Sequence, residues 1–286
     1  MRAYFICHGV YSWVPASTRQ AILRICGHHL TPSGVALVSY NTYPGWKAKE
    51  VVRDAMMMRA RTGGEPQTKL ALGLGMVDFL ERATPPDSLV RKAIQQAAPS
   101  LKDPRKAPYV FHEYLERINA PCYFQDFITE AQDAGGLGYL ANASIGLMFT
   151  ANYGLSPEDQ QALASESRGN QVHLEQLLDF VANRTFRSSL LVKRERLPMI
   201  RYEVPKDRLR ALSYVLELNE GTSLDPSDPM AKALAHTLSA ATAPVTFKAL
   251  LESACESVRV PRHEIEDIFL SNIAFLVAKE CLHPRL

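Results

Sequence analysis

Five cysteines in 286 residues, at positions 7, 26, 122, 255 and 281, form no C-x-x-C pair and are odd in number. That excludes a disulfide framework and a thiolate zinc site, and it points to a reducing compartment. No apolar run reaches the roughly 18 residues that a membrane span needs. A charged leader with an apolar segment and a small-residue cleavage site is also absent, so the cytoplasm is the expected location. Charge of one sign is scarce too. Thirty-two basic residues against thirty acidic ones give a formal net charge of +2, which makes no electrostatic case for a nucleic-acid or membrane partner. The densest basic cluster, Lys193-Arg194-Glu195-Arg196, is interrupted by an acid and reads as a solvated strand end.

Motifs of the common catalytic classes are missing as well. Ser12 lacks the flanking glycines of a hydrolase nucleophile elbow. His28-His29 closes a helix, where imidazoles complement free carbonyls, and no further metal ligands follow at a recognisable spacing. Gly73-Leu74-Gly75 sits inside Leu70–Leu80 at helical spacing with no strand before it, so it is a close-packing helix and not a phosphate loop. A glycine-rich strand–turn–helix occurs nowhere in the chain, and neither does an internal repeat or a low-complexity tract.

What is present is ordinary in bulk. A hydrophobic fraction of 47% and a charged fraction of 22% suit a soluble globular protein, with length for one large or two modest domains. Tyr4–Cys7 reads as a buried strand that opens on His8-Gly9-Val10-Tyr11-Ser12-Trp13-Val14-Pro15. A helix follows, with Pro15 suited to its first turn and Ala21, Ile22, Ile25, Cys26 and Leu30 on its inner face. Thr31-Pro32-Ser33-Gly34 is expected to turn the chain into a second strand, Val35–Tyr40, which ends on Asn41-Thr42-Tyr43-Pro44-Gly45-Trp46. The apolar continuity of Val35–Val38 suggests parallel pairing with cover on both faces. Polar and aromatic side chains therefore crowd beyond the carboxyl ends of two strands, where open α/β sheets bind ligands.

The middle of the chain is mostly helical, with helices marked by Val51–Met56, Leu70–Arg82 and Leu89–Ala98. Val110–Leu115 fits either a short strand or a helix start. A helix burying Phe124, Phe127, Ile128 and Ala131 ends at Gly135-Gly136 and returns the chain to a strand at Leu137–Asn142. Ser156-Pro157 starts another helix, the spacing of Leu174, Leu177, Leu178 and Val181 marks the next, and Phe186–Val192 reads as a strand. Leu224–Pro229 looks like a surface turn. Beyond it, Val245-Thr246-Phe247 opens one helix and Pro261 a long closing one. The expected organisation is residues 1–60 as part of an α/β domain, 61–196 as a helical lid with a further domain, and 197–286 as a small, mainly helical module.

Among candidate functional residues, His8 follows a strand and precedes a glycine that lets backbone approach a ligand closely. A buried, satisfied histidine is the alternative. Tyr11, Trp13, Tyr43 and Trp46 either pack beneath the following helices or wall a pocket for a flat or cationic group. His112-Glu113 is a candidate acid/base pair, though adjacency alone says little.

The stretches Cys7–Pro15 and Ser39–Trp46 resemble bacterial class I S-adenosylmethionine-dependent methyltransferases that carry a methyltransferase regulatory domain, a group that includes protein-lysine methyltransferases. Two later blocks resemble the regulatory domain itself. One is His112–Glu116 with Asn119, Pro121, Tyr123-Phe124 and Gly136–Leu140, and the other is Asp179-Phe180 with Asn183-Arg184 and Phe186–Leu191. The likeness implies an α/β fold: a partial Rossmann-like methyltransferase sheet whose first two strands here are its fourth and fifth, a large helical insertion, and a small C-terminal module. It implies that Cys7, His8 and Gly9 border the methionine end of the cofactor and that His8, Tyr11 and Trp13 serve catalysis. Tyr43, Trp46, His112, Glu113 and Tyr114 would meet the substrate. In such enzymes a glycine-rich loop after the first strand and an acid ending the second hold S-adenosylmethionine, and this sequence has neither. On the resemblance, the chain is a truncated enzyme lacking a segment on the order of a hundred residues, inactive alone and able to use the cofactor only if the missing half is supplied. Its partners would be a protein substrate or a partner methyltransferase, and the bared sheet edge invites homo-oligomerisation. The alternative is a non-catalytic interaction protein that modulates a partner methyltransferase.

Overall fold

The computed structural model describes residues 2–202, 206–217, 229–279 and 281–285. Strand β1 (Arg2–Cys7) runs parallel to β2 (Leu30–Asn41), with Tyr4 opposite Val35 and Cys7 opposite Val38. The crossover is helix α1 (Ala16–His29). His28 Nδ1 donates to the carbonyl of Arg24 at 3.0 Å, one turn back within the helix and short of its free terminal carbonyls. Two sequence expectations need correction. Thr31–Gly34 is no turn: β2 begins at Leu30, and the register slips between Arg2 and Tyr4 so that those residues bulge within the strand. On α1 the sealed positions are Leu23 and Cys26, while Ile25 is exposed, because the face carrying Leu23 and Gly27 meets another helix.

The middle of the chain folds as α2 (Gly45–Ala60), α3 (Pro66–Ala83), α4 (Leu89–Leu101) and α5 (Ala107–Leu115). Val52, Met56, Val77, Ile94, Val110 and Tyr114 form their shared core. The segment left open between strand and helix is thus helix α5. Gly73 does serve close packing, since a Cβ there would lie 3.2 Å from Met56 Cε.

Helix α6 (Phe124–Gly135) buries Phe124, Phe127, Ile128 and Ala131, the face its spacing marks, and ends on Gly136 at φ 60°. Strand β3 (Leu137–Asn142) follows, then α7 (Pro157–Ser167), α8 (Gln171–Val181) and β4 (Phe186–Lys193). Strand β4 lies antiparallel between β2 and β3, giving the sheet order β1-β2-β4-β3. Strand β1 therefore stands at an edge, paired with β2 alone among the described residues.

The contacts divide the chain into two compact units. The first comprises residues 1–143 and 161–199, the second 144–160 and 200–286. The second unit contains α9 (Lys206–Arg210), β5 (Ser213–Leu216), α10 (Pro229–Ser239), β6 (Val245–Thr246), α11 (Phe247–Val258), α12 (Arg262–Ala278) and β7 (Leu282–Arg285). Its helices enclose Tyr214, Leu234, Leu251, Phe269 and Ile273. A sheet in the order β6-β5-β7 adds strands that its apolar spacing does not reveal. The turn expected at Leu224–Pro229 lies, up to Asp228, outside the described residues.

No described helix is long and apolar enough to cross a membrane.

Candidate functional site

Where β1 ends, half-buried Cys7 gives way to His8 and to Gly9, whose φ of +69° few side chains tolerate. The Gly9 N–H donates to Ser39 Oγ at 2.8 Å, and Ser39 Oγ lies 3.1 Å from His8 Nδ1. Ser39 is fully buried on β2, so its one hydroxyl proton needs an acceptor, and among the described residues His8 Nδ1 is the one in reach. In the neutral imidazole the remaining proton then sits on Nε2, which makes His8 an outward-facing donor. Phe186 stands edge-on to the ring at 6.0 Å. We predict that 15N NMR of His8 shows the Nε2–H tautomer, and that Ser39→Ala turns it into a tautomer mixture. An Nδ1–H ring in the native chain would refute this arrangement.

At the end of β2, three loops are laced together. Asn41 N–H donates to Ser12 Oγ at 2.8 Å, and Ala120 N–H donates to the Ser12 carbonyl at 2.8 Å. Thr42 forms a parallel bridge with Cys122 and gives its hydroxyl proton to the Cys122 carbonyl at 2.8 Å. Asn41 Nδ2 donates to Asn119 Oδ1 at 3.0 Å. Ser12, buried and engaged as an acceptor, is a structural tie. Burial pushes the Cys122 thiol up to about 12, which leaves it without nucleophilic character near neutral pH.

Above this lacing stands an aromatic cluster. Trp46, at the start of α2, is buried, and Trp13 meets it edge-to-face at 6.3 Å. His112 on α5 covers Trp13 at 4.2 Å. Lys49 Nζ lies 4.8 Å from the Trp46 ring centre and 3.5 Å from Glu113 Oε2. Alongside, Tyr43 donates to Glu50 Oε1 at 2.5 Å, and its ring is followed by Tyr123 at 5.2 Å and then by Phe180 at 5.8 Å from Tyr123.

The structure thus brings Trp13, Trp46, His112 and Glu113 together, with Tyr43 at their side and Cys7, His8 and Gly9 at the neighbouring strand end. Two of the sequence's candidates, as buried as Trp46, stand apart from that cluster. Tyr11 is sealed between Tyr40 and Phe127 and donates to Glu130 Oε2 at 2.9 Å. Burial first, then Glu130, hold its phenol far above the usual range. Tyr114 belongs to the core of α2–α5, and burial raises its phenol likewise. Both support the site from beneath. Nothing in the spacing singles out Ser39, Lys49 or Glu50, whose roles depend on partners that only the fold supplies. No group of three or more metal-ligating side chains occurs among the described residues.

A mixed sheet with its loops gathered at the carboxyl ends of two parallel strands, joined to a helical layer, defines a methyltransferase-like fold. Residues 106–193 match the family model described as a predicted methyltransferase regulatory domain. Over 98% of its length the chain superimposes on PKMT2 from Rickettsia typhi, solved in complex with AdoHcy, with a TM-score of 0.74 and 26% identity, covering 58% of that chain. Among curated proteins, an uncharacterised protein of Rickettsia prowazekii is 28% identical across 96% of this chain and 53% of its own length. A second one from that organism is 35% identical over 45% of this chain and 52% of its own length. The chain spans about half the length of the curated relatives it matches. It is an α/β polypeptide whose fold matches that of PKMT2 and whose residues 106–193 match the regulatory-domain model, as the resemblance implies.

Proposed function

We propose that this chain carries the acceptor side of an S-adenosylmethionine-dependent methyltransferase whose acceptor is a lysine amine on a protein. The observation that carries the reading is the cluster of Trp13, Trp46, His112 and Glu113, on a fold shared with a protein solved in complex with AdoHcy. AdoHcy is the demethylated product of S-adenosylmethionine. The residues present fit one end of that cofactor. Gly9 leaves open space where a Cβ would stand, and His8 offers an Nε2–H donor suited to a carboxylate. Cys7, His8 and Gly9 would border the methionine end. The rest of the cofactor's site, glycine-rich loop included, is assigned to polypeptide beyond these 286 residues, seated along the outer edge of β1.

When bound, the cofactor supplies an electrophilic methyl group. This chain's part is to present the acceptor amine in line and keep water away, and such positioning accounts for much of the rate in a displacement. Trp13 and Trp46 offer ring faces and edges to the lysine stem. Glu113 balances the charge of the entering lysine ammonium.

The first test is calorimetric titration of the chain with S-adenosylmethionine. No saturable heat is expected from the folded chain alone; micromolar binding would show the cofactor site complete within it and overturn the division. In the active assembly, Trp13→Ala is expected to slow transfer by about a hundredfold or more, with little change in melting temperature because Trp13 is only half-buried. An unchanged rate would remove Trp13 from the site.

One observation favours a second reading, an interaction protein that modulates a partner methyltransferase. Tyr4 and Ile6 on β1 are 75% and 77% exposed, an apolar face on an edge unpaired among the described residues. Comigration with a catalytically complete relative, without methyl transfer by the complex beyond that relative's own, would favour it.

A further inference from the structure

We propose that Trp46, Trp13, His112 and Glu113 form a receptor for an alkylammonium group, and that the chain's own Lys49 fills this receptor at rest. The ligand's identity as a substrate lysine rests on the proposed function; the receptor itself rests on geometry.

Lys49 Nζ is held 4.8 Å from the Trp46 ring centre and 3.5 Å from Glu113 Oε2. A cation is drawn to an indole face most strongly where water is excluded. Here the Glu113 side chain is only 12% exposed and that of Lys49 28%, with Trp46 itself buried. The wall is built in the same way, since Trp13 stands edge-on to Trp46 and His112 covers Trp13. Tyr109, one turn before Glu113 on α5, also directs its phenol to that carboxylate, so Glu113 keeps a neutral partner when an ammonium leaves. A second lysine on the same helix serves as comparison. Lys47 lies 3.8 Å from the Tyr43 ring centre and 3.8 Å from Glu50, but its side chain is 58% exposed. That is an ordinary solvated contact, and the Lys49 site differs from it in being shielded.

Lys49 follows Trp46 by less than one helical turn, so its ammonium reaches the receptor without bringing in any distant segment. The same short tether keeps its local concentration high and lowers the apparent affinity for any ammonium arriving from outside. A lysine from another protein carries the identical group and competes for the identical place. Lys49 is thus an internal placeholder, displaced when an acceptor lysine enters.

Both tryptophans of the chain lie in this receptor, so intrinsic fluorescence reports its occupancy without cofactor or turnover. The probe is n-butylammonium chloride, with 1-butanol and sodium chloride at matched concentrations as controls. Lys49→Ala is expected to show a saturable fluorescence change at a half-saturating concentration about tenfold below that of the native chain. Adding Glu113→Gln should abolish it, and butanol should have no effect. If Lys49→Ala fails to fold by circular dichroism, Lys49→Gln takes its place in the same comparison. Equal responses from native and variant chains, or from butanol and butylammonium, overturn the receptor. Ammonium binding without methyl transfer by any assembly supports the receptor while sinking the enzymatic reading. Transfer without ammonium binding does the reverse.

Discussion

Arg187→Ala is expected to cost the first unit about 3–5 kcal/mol, the range for removing one partner from a buried charge cluster. Arg187 on β4 has no exposed side-chain surface, and it holds α8 through both of that helix's inward acids. Its Nε and Nη2 donate to the two Asp179 oxygens at 2.7 and 2.9 Å, and its Nη1 donates to Glu175 Oε2 at 2.9 Å. Tyr139 on β3 donates to the same Glu175 oxygen at 2.8 Å, and Gln171 Nε2 donates to Oε1 at 3.0 Å. The guanidinium also lies 3.7 Å from the ring centre of Phe124 at the start of α6. Burial pushes the Glu175 carboxyl up, and Arg187 is the chief influence opposing it. A carboxyl whose folded pKa is raised favours the folded state at low pH and loses that benefit as pH rises through the raised value. Without Arg187 the value rises further. The deficit of the variant should therefore be large at pH 7.5 and shrink toward pH 5, as read by urea denaturation with circular dichroism. A loss below 1 kcal/mol at pH 7.5 would mean that the cluster is not the clamp described. Combining Arg187→Met with Glu175→Leu and Asp179→Leu should recover most of the stability, because buried ion groups often exchange for apolar ones at little net cost.

That cluster also marks where the sequence stops being legible. Apolar spacing marks the inner face of α6 correctly, because Phe124, Phe127, Ile128 and Ala131 bury against other apolar groups. On α8 the same reasoning points to Leu174, Leu177, Leu178 and Val181. The structure instead seals Glu175, Gln176, Leu178 and Asp179, and leaves Val181 exposed. Periodicity counts apolar side chains, and it cannot see an inward acid whose counter-charge comes from β4. The site shows the same division. Its aromatic members are visible because large rings past strand ends must pack or bind something. Whether each ring lies under the site, as Tyr11 does, or within it, as Trp13 does, depends on contacts from α6 and α5. Lys49 is invisible for the same reason, since its partner Glu113 arrives on another helix. The parallel pair β1 and β2 and the helical crossover between them are legible from local apolar runs, but the start of β2, the inner face of α1 and the exposure of Tyr4 and Ile6 are not, because partners elsewhere in the fold set them.

Gly27→Ala should be the most damaging single methyl addition in the first unit. A Cβ at Gly27 would sit 1.8 Å from the Gly135 carbonyl oxygen and 2.7 Å from its carbon. Those atoms are backbone, so no rotamer change relieves the overlap, and the cost should reach or exceed the roughly 1–3 kcal/mol typical of overpacking. Gly135 is constrained in return, since a Cβ there would stand 2.5 Å from the Leu23 carbonyl oxygen. Helices α1 and α6 thus cross with main chain against main chain. The consequence extends beyond stability. Helix α1 springs from the loop that carries Trp13, and α6 from the 119–123 stretch that is laced to Ser12 and Asn41. Forcing the helices apart pulls on both loops at once, so the variant should also shift tryptophan emission. Gly75→Ala is the control. Its new methyl would meet only the Arg59 guanidinium at 3.7 Å, an ordinary contact, and inside α3 alanine is favoured over glycine by about 0.5–1 kcal/mol. Melting curves that fall for Gly27→Ala and hold or rise for Gly75→Ala would establish the crossing as the constraint that keeps the two site loops in register. Equal effects would mean that helix propensity, and not the backbone contact, sets the outcome.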